Sequence, residues 1–208
     1  MKINKKLLVI TAIIILIPMF IGIALWEQLP DQIATHWGAD GQPDGWSSKA
    51  FTVFGLPAFM AVLHTLGLFI TFSDPKKSNI GKKAIGFVYW IIPAISLFAM
   101  SGSFAYALGK EIDMGMICCL LIGIVFIILG NYMPKAKQNY TFGYKIPWTL
   151  NSEENWNRTH RLAGWLIVII GIILIINAFF LFEWVIISVA ILGLAPIVYS
   201  YILYKKGI

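Results

Sequence analysis

Few residues in this chain are of types that do chemistry, and their spacing limits the chemistry open to them. His36, Asp40 and Asp44 stand four apart, an interval that would align three metal ligands on one helix face. The stretch that carries them, THWGADGQPDGW, argues against such a helix. Asp40-Gly41 and Asp44-Gly45 are turn dipeptides, and Pro43 stiffens the chain between them. No metal site and no cofactor is therefore expected. Cys118 and Cys119 are adjacent, where a disulfide is strained, and have no ligand spacing around them, so they read as small buried hydrophobes. The apolar segments contain no HExxH, no GxSxG and no pair of aspartates, so no catalytic residues are assigned and the chain does not read as an enzyme. His64 and Asn177 are the deepest polar residues. A lone histidine there could relay protons, but an interhelical hydrogen bond is the simpler reading.

What remains is recognition, and the elements that must position it follow from composition. With 59% hydrophobic and 12% charged residues among 208, and a mean hydropathy of +0.79, the chain cannot present an ordinary soluble surface, about a quarter of which is charged. Apolar windows of membrane-spanning length occur at 7–26, 50–72, 84–108, 114–133, 162–182 and 184–204. Runs such as IVFIILG do not alternate, which excludes barrel strands. The fold class is all-α: a polytopic membrane helix bundle of six transmembrane helices forming one membrane domain. Residues 1–133 supply four helices and the loop 27–49, and residues 134–208 a polar segment and two more. MKINKK is a basic leader, yet its apolar run is long and lacks a cleavage pattern, so it reads as a retained helix. Pro18, Pro57, Pro93 and Pro196 mark kinks or helix starts, and SGS at 101–103 offers a small-residue packing face.

Charge orients the bundle. Fourteen Lys and Arg residues, at the N-terminus, 76–83, 135–161 and the C-terminal pair, fall on one side, and only Lys49 and Lys110 on the other. The positive-inside rule places both termini on the cytoplasmic side of a plasma membrane. Glu27, Asp31, Asp40, Asp44, Glu111, Asp113 and Glu183 then fall outside. The net charge of +6 is accounted for by the lipid bilayer and its anionic headgroups, so no direct nucleic-acid partner is implied. Trp26, Trp165 and Trp184 suit interfacial anchoring.

Two connections exceed simple turns. The outer one, 27–49, is expected to form a compact cap with two turns, its candidate ligand residues being Asp31, His36, Trp37, Asp40, Asp44 and Trp46. Trp37 and Trp46 would fold back on the membrane surface. In the inner one, 134–161, Ile146 precedes Pro147, so KIPW is expected as an extended strip. Asn151 would cap a helix beginning at Ser152, with Glu153 and Glu154 in its first turn, running unbroken into the fifth span. Trp156 and His160 would share one face, and Arg158 and Arg161 another edge near the headgroups. Tyr140, Phe142, Tyr144 and Trp148 are too aromatic for a solvated linker, so this strip should dock among the helix ends or bind something.

Gly130, Asn131 and Met133, followed by Asn139, Gly143, Pro147-Trp148-Thr149-Leu150 and Trp156, resemble the signature of the SdpI family of bacterial immunity membrane proteins. LPDQIATHWGADGQPDGWSSK is similar to the short domain of unknown function that often precedes it. The chain departs from the family at Lys145 and Ile146, where Arg-Thr is usual, which removes the planar two-pronged donor. The resemblance implies protection against a secreted peptide toxin, with possible recruitment of a cytosolic transcriptional repressor to the membrane. The alternative from the residues alone is a small transporter or exporter.

Overall fold

The computed structural model describes residues 2–38, 40–180, 182 and 184–208, so Glu183 of the acidic set lies outside the described residues. The elements are α1 (Lys5–Ala24), β1 (Gln32–Trp37), β2 (Pro43–Ser48), a π-helical stretch (Phe51–Gly55) leading into α2 (Leu56–Ser73), α3 (Lys82–Ala107), α4 (Met114–Tyr132), α5 (Pro147–Asn151), α6 (Glu153–Asn177) and α7 (Val185–Lys205). Among the described residues six helices are long and apolar enough to cross a membrane, which makes the chain a polytopic all-α membrane protein with a small β-hairpin inserted after α1. Their exposed Ile, Leu, Val and Phe side chains are what hydrocarbon, rather than water, would solvate.

The chain divides into two compact units, 1–73 with 82–114, and 74–81 with 115–208. In the first, Asn4 caps α1 by accepting from Leu7 N–H at 3.1 Å, a bond whose loss costs a helix about 1 kcal/mol. Thr11 of α1 meets His64 Nε2 of α2 at 2.8 Å, and Ser96 of α3 donates to Ile15 O at 2.9 Å. The deep histidine is thus an interhelical hydrogen-bonding residue, its Nδ1 without a partner among the described residues. Below the hairpin, Leu29, Ile33, Val53, Met100 and Phe104 form a core. Gly22 admits it, since a Cβ there would lie 2.8 Å from the Val53 methyls.

In the second unit α4 and α6 approach through paired glycines. A Cβ on Gly130 would lie 2.8 Å from Gly164 O, and one on Gly171 would lie 2.6 Å from Gly123 O. Both pairs are seven apart in their helices, two turns, so the contacts repeat along one seam. Three expectations change here. Cys118 is exposed and Cys119 half-buried, both free, because the buried face of α4 is given to its glycines. Asn177 sits at the α6 C-terminus, where its Oδ1 accepts from Phe182 N–H at 2.8 Å. Asn151 does not cap α6. Ser152 does, accepting from Asn155 N–H at 3.1 Å, while Asn151 ends the separate helix α5.

Candidate functional site

The 134–161 segment is built around side chains that bond to backbone, which holds an irregular stretch together without regular structure. Asn139, 1% exposed, accepts on Oδ1 from Thr141 N–H at 2.9 Å and Phe142 N–H at 2.6 Å, and donates to Lys137 O at 2.8 Å. Gly143 follows with φ of 110°, a region that L-residues avoid. A Cβ there would also fall within the ring of His160. That imidazole accepts from Tyr144 N–H on Nε2 at 3.1 Å and meets Trp156 O through Nδ1 at 2.8 Å. Nδ1 carries the proton and the ring is neutral, because Nε2 must offer a lone pair. Trp156, fully buried, stacks on His160 with ring centroids 3.9 Å apart and donates Nε1–H to Ala136 O at 2.6 Å. The expected Trp156/His160 face exists, and it points inward at the loop.

KIPW is only partly the extended strip expected. Ile146 is extended, with φ −111° and ψ 156°, but Pro147 opens the short helix α5. Thr149 makes this turn possible: its hydroxyl accepts from Ile146 N–H at 3.1 Å and lies 2.6 Å from Tyr144 O. Proline suits this position because its fixed φ is helical and its missing N–H would have had no helical partner. Trp148 then packs against Tyr201 and Tyr204 of α7, at 5.5 and 6.0 Å between centroids. Tyr144 donates its hydroxyl to Gly193 O at 3.0 Å, and burial pushes its phenol above the ordinary range, keeping that donor protonated. Of the aromatic strip, Tyr144 and Trp148 dock on α6 and α7, whereas Tyr140 is exposed with the Lys76 ammonium over its ring. A cavity of about 510 Å³ remains between α5 and the end of α7, lined by Pro147, Trp148, Asn151, Ser152, Tyr204 and the last two residues.

Other motif residues stand apart from this cluster. Lys145 is exposed and donates to Thr141 O at 2.9 Å. Arg158 pairs with Glu154 at 2.6 Å on the exposed side of α6, a bond of about 0.3–0.5 kcal/mol in such a place. Arg161 is exposed, and Asn131 is exposed and donates to Ile127 O of its own helix.

Three residues without any sequence signal hold the site. Asp74, 4% exposed, accepts from Lys76 N–H at 2.7 Å, Tyr140 N–H at 2.8 Å and the Thr141 hydroxyl at 2.7 Å. Gln138 accepts from Lys76 Nζ and from Asn79 Nδ2 through its carbonyl, and donates to Thr149 O and Leu150 O. Asn155, fully buried, ties α6 to α7 by donating to Ser200 O at 3.0 Å and accepting the Ser200 hydroxyl at 2.6 Å. Segment 74–81 is thereby part of the motif's own frame.

In the first unit the 27–49 loop is an antiparallel hairpin. Asp40-Gly41 makes its turn, with Gly41 at φ 76° and Asp40 Oδ1 accepting from Gln42 N–H at 3.0 Å. The second expected turn is absent. Gly45 lies within β2 opposite His36, where any Cβ would come 2.9 Å from the His36 Cβ, so close strand packing uses this glycine. His36 Nδ1 and Asp44 Oδ1 are 2.5 Å apart on the exposed face. Among the described residues no three metal-ligating side chains converge. Trp37 sets its ring edge-on to Tyr106 of α3 at 6.0 Å, while Trp46 remains 55% exposed. Lys49 donates to Trp26 O and Leu29 O at the end of α1 and faces Asp31 at 3.7 Å, which pins the hairpin to the helix.

Comparison with known proteins adds three findings. The SdpI/YfhL protein family matches residues 135–200, and a domain of unknown function (DUF1648) matches residues 13–61. The "Immunity protein SdpI" of Bacillus subtilis (strain 168) is 30% identical over 203 residues, which are 95% of this chain and 96% of that protein. No solved structure matches the chain.

Proposed function

Because the chain belongs to the SdpI/YfhL protein family and is a multi-pass protein of the plasma membrane, we propose that it is an immunity protein that binds a secreted peptide toxin and so protects its own cell. The observation that carries this reading is the likeness to an immunity protein along nearly its whole length, which takes in both the hairpin and the 134–161 motif. The role is binding, without catalysis. The hairpin faces outward by the distribution of lysine and arginine. Its Asp31, His36, Trp37, Asp40, Asp44 and Trp46 receive the peptide, acid favouring a cationic partner. On the cytosolic side the docked 134–161 motif presents exposed Lys145, Arg158 and Arg161, and the α5 cavity lined by Trp148 and Tyr204 is where a cytosolic repressor would be held.

Expression in a toxin-sensitive host tests this. Cells carrying the protein should survive challenge, and Asp40→Ala with Asp44→Ala should lower survival while leaving the amount of protein in the membrane unchanged. Trp148→Ala should separate the two faces, removing repressor capture. Equal killing with and without the intact protein would refute immunity.

A further inference from the structure

The hairpin has two edges, and they are not equivalent. Lys49 N–H donates to Asp31 O at 2.8 Å, which sets the alternation of the ladder. The Ile33/Ser47 pair therefore turns its backbone groups inward, whereas Gln32/Ser48 and Ala34/Trp46 turn theirs outward. On β1 the outward groups at Ala34 are sealed, since Ala34 is 3% exposed and β1 lies on α3. On β2, Asp44, Trp46 and Ser48 are all exposed. Among the described residues no group bonds to the outward N–H and C=O of Trp46 or to the N–H of Ser48. Sheet edges of this kind are commonly blunted by proline or lysine. Pro43 does so only at the start of β2, and Lys49 is turned away onto the end of α1.

We infer that β2, from Asp44 to Ser48, recognises its peptide by strand addition: a cationic segment in extended conformation pairs with the open edge as a third strand. The proposal rests on the immunity reading and specifies how the partner is held. Main-chain bonds at Trp46 and Ser48 supply affinity with little demand on sequence. Charge selects the partner, because Asp44 and Asp40 flank the edge while the one nearby lysine is engaged by Asp31 and two carbonyls. The exposed indole of Trp46 offers its face to a lysine or arginine of the added strand.

The test uses the full protein in zwitterionic nanodiscs and a fluorescent eight-residue peptide of alternating lysine and valine. A second form is N-methylated at every residue, which keeps charge and side chains but removes the N–H donors. The unmodified peptide should bind, and the methylated form should bind roughly tenfold or more weakly, as expected for losing two or more hydrogen bonds. Trp46→Pro, which deletes an outward N–H without touching the β1 ladder, should weaken binding similarly, and Trp46→Tyr should largely retain it. Equal binding of both peptides, absence of binding, or unchanged binding to Trp46→Pro would overturn strand addition. The survival assay separates the two readings. Full protection by Trp46→Pro rejects strand addition and leaves immunity standing, whereas no protection by the unaltered protein rejects immunity itself.

Discussion

Gly143 carries the sharpest steric demand in the motif. Its positive φ and the His160 ring beside it exclude any side chain, so Gly143→Ala should lower stability by about 2–4 kcal/mol, read as a fall in the thermal midpoint in detergent. Lys145 makes the opposite case. Its ammonium reaches only Thr141 O in an exposed loop, so Lys145→Arg should change stability by less than about 0.5 kcal/mol, measured in the same way. The departure from the family pattern at this position therefore leaves the fold of the loop intact. Family resemblance marks Gly143, Thr149 and Trp156, which stand at signature positions. It gives no hint of Asp74, Gln138 or Asn155, whose roles lie in partners 11 to 67 residues away, a relation that residue type does not encode.

The long helices were legible as apolar length, since hydrocarbon thickness sets how many such residues a span requires. Short elements were not. PDGWSS reads as turn chemistry, and it becomes β2 only because the Asp40-Gly41 turn returns it to β1 in register. Likewise α5 exists because Thr149 supplies the bonds that one helical turn lacks. At the α4/α6 seam, glycine spacing makes a sharper forecast. Gly171→Ala drives a methyl against Gly123 O and should cost about 1–3 kcal/mol. Gly193→Ala, with nothing within 4 Å of the added carbon, should be neutral or stabilising by up to about 1 kcal/mol. Thermal unfolding of the two variants in one detergent decides between them.

At the scale of the molecule, the charge asymmetry yields a labelling experiment. With Cys118 and Cys119 replaced by alanine, Ser47→Cys should react with a membrane-impermeant maleimide in intact cells, and Lys206→Cys only after lysis. Reversed reactivity would invert the sidedness on which the immunity reading depends. Six spans could be counted from the sequence. The grouping into two units could not, because hydropathy is blind to which loop folds with which helices, and 74–81 belongs with the later half of the chain.

That grouping has a consequence for biosynthesis. Asp74 leaves the ribosome 66 residues ahead of Tyr140, so during synthesis its carboxylate has only the local bond to Lys76 N–H until the chain has passed Thr141. The order of assembly is therefore imposed by translation: a nascent chain arrested before Gln138 would already possess four spans, yet its first lysine-rich turn would still be waiting for a clasp.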